Sequence, residues 1–197
     1  MDIPVEFPEN GRKNNLKEGD CMSAQIIIAS DSHGRSDVLK KLQKAYPHAD
    51  LFIHCGDLED SPSGFPGWIF VRGNNDWNPE IPDERKLKIM GHGIYICHSH
   101  LLPYRDRAKA LAYRALENGC DIALYGHTHV SKIERIHGVL EINPGSLLFP
   151  RDGNPPSYAV LNISDDGQTE AKIIFEPDWP FHDDPEEKKS RGWKWFW

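Results

Sequence analysis

Apolar residues follow two different periods along the chain. Up to about residue 125, short β-branched apolar runs alternate with segments of helical spacing, which predicts strands separated by helices. After residue 130 the helical period disappears, and apolar and polar residues alternate as in antiparallel strands. The predicted strands are residues 25–30, 51–55, 68–71, 86–90, 94–98, 121–125, 132–136, 139–142, 158–163 and 171–175, and the predicted helices are residues 36–46 and 105–117. Two packed sheets flanked by helices satisfy this order, which places the chain in the α/β class.

Two local features refine this prediction. Ser36 begins the first helical segment, and we expect its hydroxyl to cap that helix. Gly91 and Gly93 separate two strand-like runs, which predicts a hairpin between residues 86–90 and 94–98.

The two ends of the chain differ in composition from its middle. Residues 1–24 are polar and aperiodic, and we expect a flexible leader, followed by one domain over residues 25–176. Residues 177–197 form a charged tail that contains four of the six tryptophans, Trp179, Trp193, Trp195 and Trp197. Two interpretations stay open for these aromatic residues: they pack on their own domain, or they anchor a partner or a second subunit.

Composition and charge exclude several classes of protein. The chain has 197 residues, of which 39% are hydrophobic and 27% charged, which argues against a disordered or collagen-like protein. No apolar run approaches the roughly 18 residues that a membrane span needs. With 23 basic and 30 acidic residues the net charge is −7, so bulk nucleic-acid or membrane-surface binding is not expected. The four cysteines form no CxxC pair, and no secretory signal is visible, which favours a reducing, cytoplasmic setting.

Five short polar motifs follow predicted strand ends. In order they are Asp31-Ser32-His33, Gly56-Asp57, Gly73-Asn74-Asn75-Asp76, His98-Ser99-His100 and Gly126-His127-Thr128-His129. Ligands in open α/β sheets bind outside the carboxyl ends of the strands, so we expect all five motifs to meet at one edge.

The residues in these motifs are the types that bind transition-metal ions. Carboxylate, amide and imidazole groups suit Mn, Fe, Zn and similar ions. Seven candidates are too many for one tetrahedral ion and suit two ions that share a carboxylate. These candidates are Asp31, His33, Asp57, Asn74, His98, His127 and His129. Two divalent ions with only two carboxylates make the site locally positive, as a phosphate ester requires.

In this order, the five motifs resemble those of the calcineurin-like metallophosphoesterase superfamily. The later Asn143-Pro144-Gly145-Ser146 segment, with Pro150-Arg151 close behind, is similar to the small YfcE-like phosphodiesterase branch. The resemblance covers about residues 25–176 and implies a four-layer αββα sandwich of two mixed sheets flanked by helices. It also implies that Asp31, His33 and His129 hold one ion, that Asn74, His98 and His127 hold the second, and that Asp57 bridges both.

The family resemblance implies a hydrolase that uses two divalent ions. We expect manganese, with Ni, Fe, Co, Zn and Mg as alternatives, and attack of a metal-bound hydroxide on a phosphodiester. The expected substrate is a small-molecule or chain-end phosphoester, and the family and the tail aromatics suggest a homodimer. A metal-binding scaffold or protein-interaction module on the same fold is the alternative, because a retromer scaffold subunit resembles these enzymes.

One departure from the family pattern concerns proton transfer. Many members carry a histidine where this chain has Asn75, and an asparagine cannot donate a proton to the leaving group at pH 7. His100 is our candidate for a proton donor or phosphate contact, with a hydrogen-bonding role behind the ligands as the alternative. Asp76 is expected to orient a neighbouring ligand. Arg35 and Arg72 lie beside the motifs and are candidates for binding the phosphate, or else are solvated surface charges.

Overall fold

Two mixed β-sheets of five strands each lie face to face in the computed structural model, which describes residues 23–181. The strands are β1 (Ser23–Ala29), β2 (Leu51–His54), β3 (Trp68–Phe70), β4 (Glu84–Ile89), β5 (His92–Cys97), β6 (Ile122–Tyr125), β7 (Lys132–Ile136), β8 (Val139–Asn143), β9 (Ser157–Ser164) and β10 (Thr169–Phe175). The helices are α1 (Asp37–Ala45) and α2 (Arg107–Glu117), and two single turns of 3-10 helix span Pro62–Gly64 and Glu176–Asp178. The predicted leader up to residue 22 and tail residues 182–197 lie outside the described residues.

Each sheet contains three adjacent parallel strands. The first sheet has the order β10-β9-β1-β2-β3, with β1, β2 and β3 parallel and β9 and β10 antiparallel to their neighbours. The second has the order β4-β5-β6-β8-β7, with β5, β6 and β8 parallel. Because the parallel strands of a sheet end at the same edge, the loops that follow them are brought together.

Three apolar clusters hold four layers together. Between the two sheets, residues such as Ile28, Ile53 and Ile142 are fully buried. A second cluster packs α1 on the outer face of the first sheet, and a third packs α2 on the outer face of the second sheet. Successive residues of β1 point to opposite faces of its sheet. Ile26 and Ile28 face the other sheet, and Ile27 faces α1. The predicted four-layer αββα arrangement is therefore confirmed.

The predicted elements are all present, and each end lies within two residues of its prediction. Two details differ. The Ser36 hydroxyl does not cap α1 but donates to the Asp60 carboxylate at 2.5 Å, so the capping prediction was wrong. Strand β8 is a central strand parallel to β6 as well as the antiparallel partner of β7. All five of its residues are consequently buried, including Glu141.

The C-terminal part of the described chain returns to the first sheet. Trp179, which we placed in the tail, is 3% exposed and packs with Tyr158 in the cluster beneath α1. Its indole N–H donates to the Ile174 carbonyl at 3.2 Å. For this tryptophan, packing on its own domain is the interpretation that the structure supports. In the stretch from Ser23 to Phe181, neither helix is long and apolar enough to cross a membrane.

Candidate metal centre

Five loops meet at one edge of the sandwich. They follow β1, β2, β3, β5 and β6, and they carry the candidate ligands Asp31, His33, Asp57, Asn74, His98, His127 and His129. Within the first sheet, Asp31 N–H donates to the Gly56 carbonyl at 3.0 Å and joins the loops after β1 and β2. Between the two sheets, His127 N–H donates to the Asp31 carboxylate at 3.0 Å. Motifs that are far apart in sequence therefore lie together.

Asp31, His33, Asp57 and His129 form a compact group, whose ligand atoms all lie within 4.8 Å of one another. His129 Nε2 lies 3.1 Å from Asp31 Oδ1 and 3.2 Å from His33 Nε2. His33 Nε2 lies 3.8 Å from Asp57 Oδ2. Two carboxylates and two imidazoles at this spacing are a suitable donor set for a divalent transition metal.

Asp57 also faces a second group, which consists of Asn74, His98 and His127. His98 Nε2 lies 3.4 Å from Asp57 Oδ2, the same oxygen that faces His33. The ring centroids of His98 and His127 are 5.2 Å apart, and Asn74 Oδ1 lies 2.9 Å from His127 Nδ1. One carboxylate oxygen is therefore close to both groups, as a bridging ligand would be.

Hydrogen bonds on the outer ring nitrogens orient three of the histidines. The Nδ1 atoms of His33, His98 and His129 lie 2.7, 2.7 and 2.6 Å from the Glu59 carboxylate, the Cys55 carbonyl and the Phe149 carbonyl, respectively. Because these oxygens accept hydrogen bonds, each Nδ1 carries the proton, and each Nε2 lone pair faces the site. His98 Nε2 is buried and has no hydrogen-bond partner among residues 23–181. Inward lone pairs beside carboxylates fit bound cations.

The electrostatics of the site also favour positive charge. Burial raises the pKa of Asp31 and of Asp57, but the neighbouring rings, chiefly His129 beside Asp31 and His98 beside Asp57, outweigh burial and lower both pKa values. Burial likewise lowers the pKa of His98 and His129, yet Asp57 with Asp31 raises the pKa of His98, and Asp31 raises that of His129, above the ordinary histidine value. Burial and the neighbouring His98 lower the pKa of His127 to about 4, so this ring is neutral at pH 7. The carboxylates thus stay ionised and attract cations.

The backbone at the candidate ligands is strained. Five of the seven adopt the left-handed region, with φ of 52° at Asp31, 45° at His33, 55° at Asp57, 73° at His127 and 58° at His129. Such a conformation costs a residue with a side chain about 1 kcal/mol or more. Strain of this kind clusters at functional sites, where the surrounding structure maintains it.

Two glycines allow the loops to approach one another. A Cβ atom at Gly73 would lie 2.1 Å from Asp57 Oδ1, and one at Gly126 would lie 2.0 Å from Ser30 Oγ and 2.8 Å from Asp31 Oδ2. Both positions therefore require glycine if the two carboxylates are to keep their places.

Asn75 and Asp76 support the Asp57 loop. Asn75 donates its backbone N–H to Asp57 Oδ1 and its side-chain amide to Asp57 Oδ2, each at 2.8 Å. The Asp76 carboxylate accepts four backbone N–H groups at 2.8 to 3.0 Å, from Asp57, Leu58, Glu59 and Gly73. Both residues contact the loop that carries the bridging candidate.

The two candidate arginines are paired with carboxylates. Arg35 donates to the Leu147 carbonyl at 2.8 Å and to Glu176 at 2.6 Å, and its guanidinium lies 5.2 Å from the Trp179 ring centroid. Arg72 donates to Asp83 from Nε at 2.8 Å and from Nη2 at 2.6 Å. Arg35 thus links the first ligand loop to two distant segments of the chain.

His100 lies next to the second group. Its ring centroid is 5.4 Å from that of His98 and 6.2 Å from that of His127. A small cavity beside it is lined by Leu102 and Arg114, among others. His100 Nδ1 is buried and makes no hydrogen bond within the described part of the chain.

Three residues near the site were not singled out from the sequence. Glu59 and the Phe149 carbonyl orient two ligand rings, and neither belongs to a recognisable motif. His54 is fully buried and joins two loops, with Nε2 3.1 Å from Ser32 Oγ and Nδ1 accepting from Gly56 N–H at 3.3 Å. Burial lowers the pKa of His54 to about 4, so it is neutral there.

Known proteins are similar to this chain in both sequence and fold. Residues 24–166 match the calcineurin-like phosphoesterase superfamily domain. The chain belongs to this superfamily. It is 36% identical over 147 residues to the "Probable metallophosphoesterase YsnB" of Bacillus subtilis, covering 73% of this chain and 87% of that protein. It is 35% identical over 167 residues to the phosphodiesterase YfcE of Escherichia coli K12, covering 70% of this chain and 87% of YfcE.

Solved structures agree with this assignment. A predicted phosphoesterase from Streptococcus pneumoniae is 28% identical, with a TM-score of 0.68 over 78% of this chain and 98% of that chain. The Vps29 protein of Entamoeba histolytica, solved as a zinc complex, is 20% identical, with a TM-score of 0.57 over 76% of this chain and 98% of its own. At that identity the second likeness shows the fold alone. The chain is therefore a member of a metallophosphoesterase family with a candidate metal site.

Proposed function

We propose that this chain hydrolyses phosphodiesters with two divalent cations, for which manganese is favoured. The observation that supports the pair is Asp57 Oδ2, which faces His33 of one ligand group and His98 of the other. In this proposal Asp31, His33 and His129 hold the first ion, Asn74, His98 and His127 hold the second, and Asp57 bridges both. When bound, such ions supply positive charge for the phosphoryl oxygens and lower the pKa of water.

The remaining residues of the loops position these ligands. Asn75 fixes both oxygens of Asp57 by direct hydrogen bonds, and Asp76 fixes the backbone on either side of it. We therefore assign Asp76 a positioning role, because its carboxylate is already occupied by backbone N–H groups. Arg35 has a similar role, since its donors are used by Leu147 and Glu176.

His100 is the proposed contact for the phosphate or the leaving group. It lies beside His98 and His127, and one of its ring nitrogens has no partner in residues 23–181. Arg72 remains a second candidate, although Asp83 competes for its guanidinium. Since Asn75 cannot act as an acid, we expect diesters with activated leaving groups, such as aryl esters, to react faster than those with alkoxide leaving groups.

The substrate is proposed to be small or to present a chain end. The net charge of −7 disfavours general binding of nucleic acid, so an anionic ester would be attracted by the bound cations. The phosphodiesterase YfcE, to which this chain is 35% identical, supports the choice of a diester over a monoester.

The test compares aryl phosphodiesters and phosphomonoesters as substrates. The protein is treated with a chelator, and Mn, Ni, Co, Zn or Mg is then added back singly. We expect a metal-restored diesterase activity that Asp57→Ala abolishes and that Asp37→Ala, which removes an exposed carboxylate on α1, leaves unchanged. If Asp57→Ala hydrolyses as fast as the wild type when metal is supplied, the proposal is wrong. Bound metal without hydrolysis of either ester would favour the protein-interaction module instead.

A further inference from the structure

Hydrogen bonds on Nδ1 orient the rings of His33, His98 and His129. In the described part of the chain, only His33 has a carboxylate as this partner, that of Glu59. Its Oε1 lies 2.7 Å from His33 Nδ1, whereas His98 and His129 donate to backbone carbonyls. A carboxylate behind a ligand histidine makes the imidazole a stronger donor and fixes its orientation. His33 therefore differs in kind from the other two rings.

Several contacts hold Glu59 in place for this interaction. Its backbone has φ of 53°, a left-handed conformation that a glutamate adopts only when its surroundings impose it. Asp76 Oδ1 accepts the Glu59 N–H at 3.0 Å and also the Leu58 N–H at 2.9 Å. The strained backbone is thus maintained by the same aspartate that supports Asp57.

The contact between Glu59 and His33 is not needed to join their loops. His33 N–H donates to the Asp57 carbonyl at 3.1 Å, and Gly34 N–H donates to the Leu58 carbonyl at 3.2 Å. The Glu59 side chain is 39% exposed, and pairs that are this accessible contribute little to stability. The short contact between Glu59 and His33 is therefore better explained by an effect on the His33 ring than by a contribution to stability.

We infer that Glu59 is a positioning residue for the first cation site. It holds the proton on His33 Nδ1, which turns the Nε2 lone pair towards Asp57 and His129, and it adds a negative charge behind the ring. The inference rests on the proposed function only in using the same cation site. It concerns affinity for the ion, so it is tested by binding and not by turnover.

The main experiment is a calorimetric titration of chelator-treated, full-length protein with Mn²⁺. Relative to the wild type, we expect Glu59→Ala to weaken binding of one of the two equivalents by about 10- to 100-fold, the usual effect of removing such a partner. Glu59→Gln should have a smaller effect, because its amide oxygen still accepts the hydrogen bond while the charge is lost. Glu117→Ala, which removes an exposed carboxylate at the end of α2, is the control and should bind as the wild type does.

A second measurement reports on the ring itself. Long-range nitrogen–proton NMR spectra of the metal-free protein distinguish the two histidine tautomers, and a His33→Gln variant assigns the signal. We expect the Nδ1–H form of His33 in the wild type and a shift towards Nε2–H in Glu59→Ala. A purely structural role for Glu59 would lower the thermal midpoint in EDTA and leave this signal unchanged.

The outcomes separate this inference from the proposed function. Mn²⁺ affinity within about twofold of the wild type in Glu59→Ala, together with an unchanged tautomer, would overturn the role of Glu59 even if the enzyme hydrolyses diesters. Weakened Mn²⁺ binding in the Glu59 variants supports the role of Glu59, whether or not the wild type hydrolyses phosphoesters. If the wild type hydrolyses none, only the proposed function is rejected.

Discussion

Asn75 donates to both oxygens of Asp57, through its backbone N–H and through its side-chain amide, at 2.8 Å in each case. Many members of the superfamily carry a histidine here that serves as an acid. In this chain the residue holds the carboxylate that faces both ligand groups. Where those members have a proton donor, this chain therefore has a contact that fixes the carboxylate of the candidate bridging residue, Asp57.

We expect Asn75→Ala to weaken Mn²⁺ binding and diester hydrolysis by roughly tenfold or more, in the range found when a partner of a metal ligand is removed. The backbone N–H bond to Asp57 Oδ1 survives, so the site should be loosened but not lost. Calorimetric titration and steady-state kinetics at saturating metal measure the two effects. Asn154→Ala, at an exposed loop position, is the matched control, and an equal loss in both variants would contradict this role.

The C-terminal segment contacts the first ligand loop through Trp179. This ring is buried beside Tyr158 and lies under the Arg35 guanidinium, which also donates to Leu147 and Glu176. Truncation of a large buried aromatic side chain costs about 3 to 5 kcal/mol, so we expect Trp179→Ala to lower the free energy of unfolding by about 3 kcal/mol. Urea denaturation of the chelated protein measures it.

The chain offers a close control for that experiment. Trp77 is 94% exposed, so Trp77→Ala removes the same side chain without loss of burial. Its free energy of unfolding should stay within about 0.5 kcal/mol of the wild type, as is usual for surface substitutions. Similar losses in the two variants would show that Trp179 is not part of the folded core.

These contacts show what could be predicted from the sequence and what could not. The strands were recognisable because their apolar residues alternate or run together locally, and the ligand motifs were recognisable because they follow strand ends. Arg35 was predicted only as a phosphate or surface group, because its partners Leu147 and Glu176 lie 112 and 141 residues away. Likewise, β8 is parallel to β6, a tertiary pairing that the local alternation of residues does not specify.

Metal binding should stabilise the protein through Asp57. Without a cation, the strained backbone of the loops that carry Asp31 and Asp57 lowers the stability of the folded state. A ligand that binds only the folded state adds about 2.7 kcal/mol at 100 times its Kd. We expect Mn²⁺ to raise the Tm of the wild type and of Asp37→Asn, and to leave that of Asp57→Asn nearly unchanged. Thermal denaturation in EDTA and in Mn²⁺ tests this, and an equal rise in all three proteins would exclude Asp57 as a ligand.

Glu141 should make stability depend on pH independently of the metal. Its side chain is fully buried between the second sheet and α2, and neither carboxylate oxygen has a hydrogen-bond partner within the described residues. Burial, with the charge of its cross-strand neighbour Glu134, raises the pKa of Glu141 from 4.5 to about 8. Between pH 4.5 and about pH 8, the folded state therefore holds a proton on Glu141 that the unfolded state has already released. The free energy of unfolding consequently falls as the pH rises through this range.

Glu141→Gln removes this titration while keeping the size of the side chain. We compare the free energy of unfolding of the variant with that of the wild type at pH 5 and at pH 8.5. The difference should shift in favour of the variant by at least about 1.4 kcal/mol, the equivalent of one pKa unit. Urea denaturation in EDTA at both pH values measures the difference and excludes the pH dependence of metal binding. Glu117→Gln, at an exposed position on α2, should follow the wild type at both pH values. A constant difference between Glu141→Gln and the wild type would mean that Glu141 is ionised in the folded protein throughout this range, with Lys132, which lowers its pKa, compensating the charge.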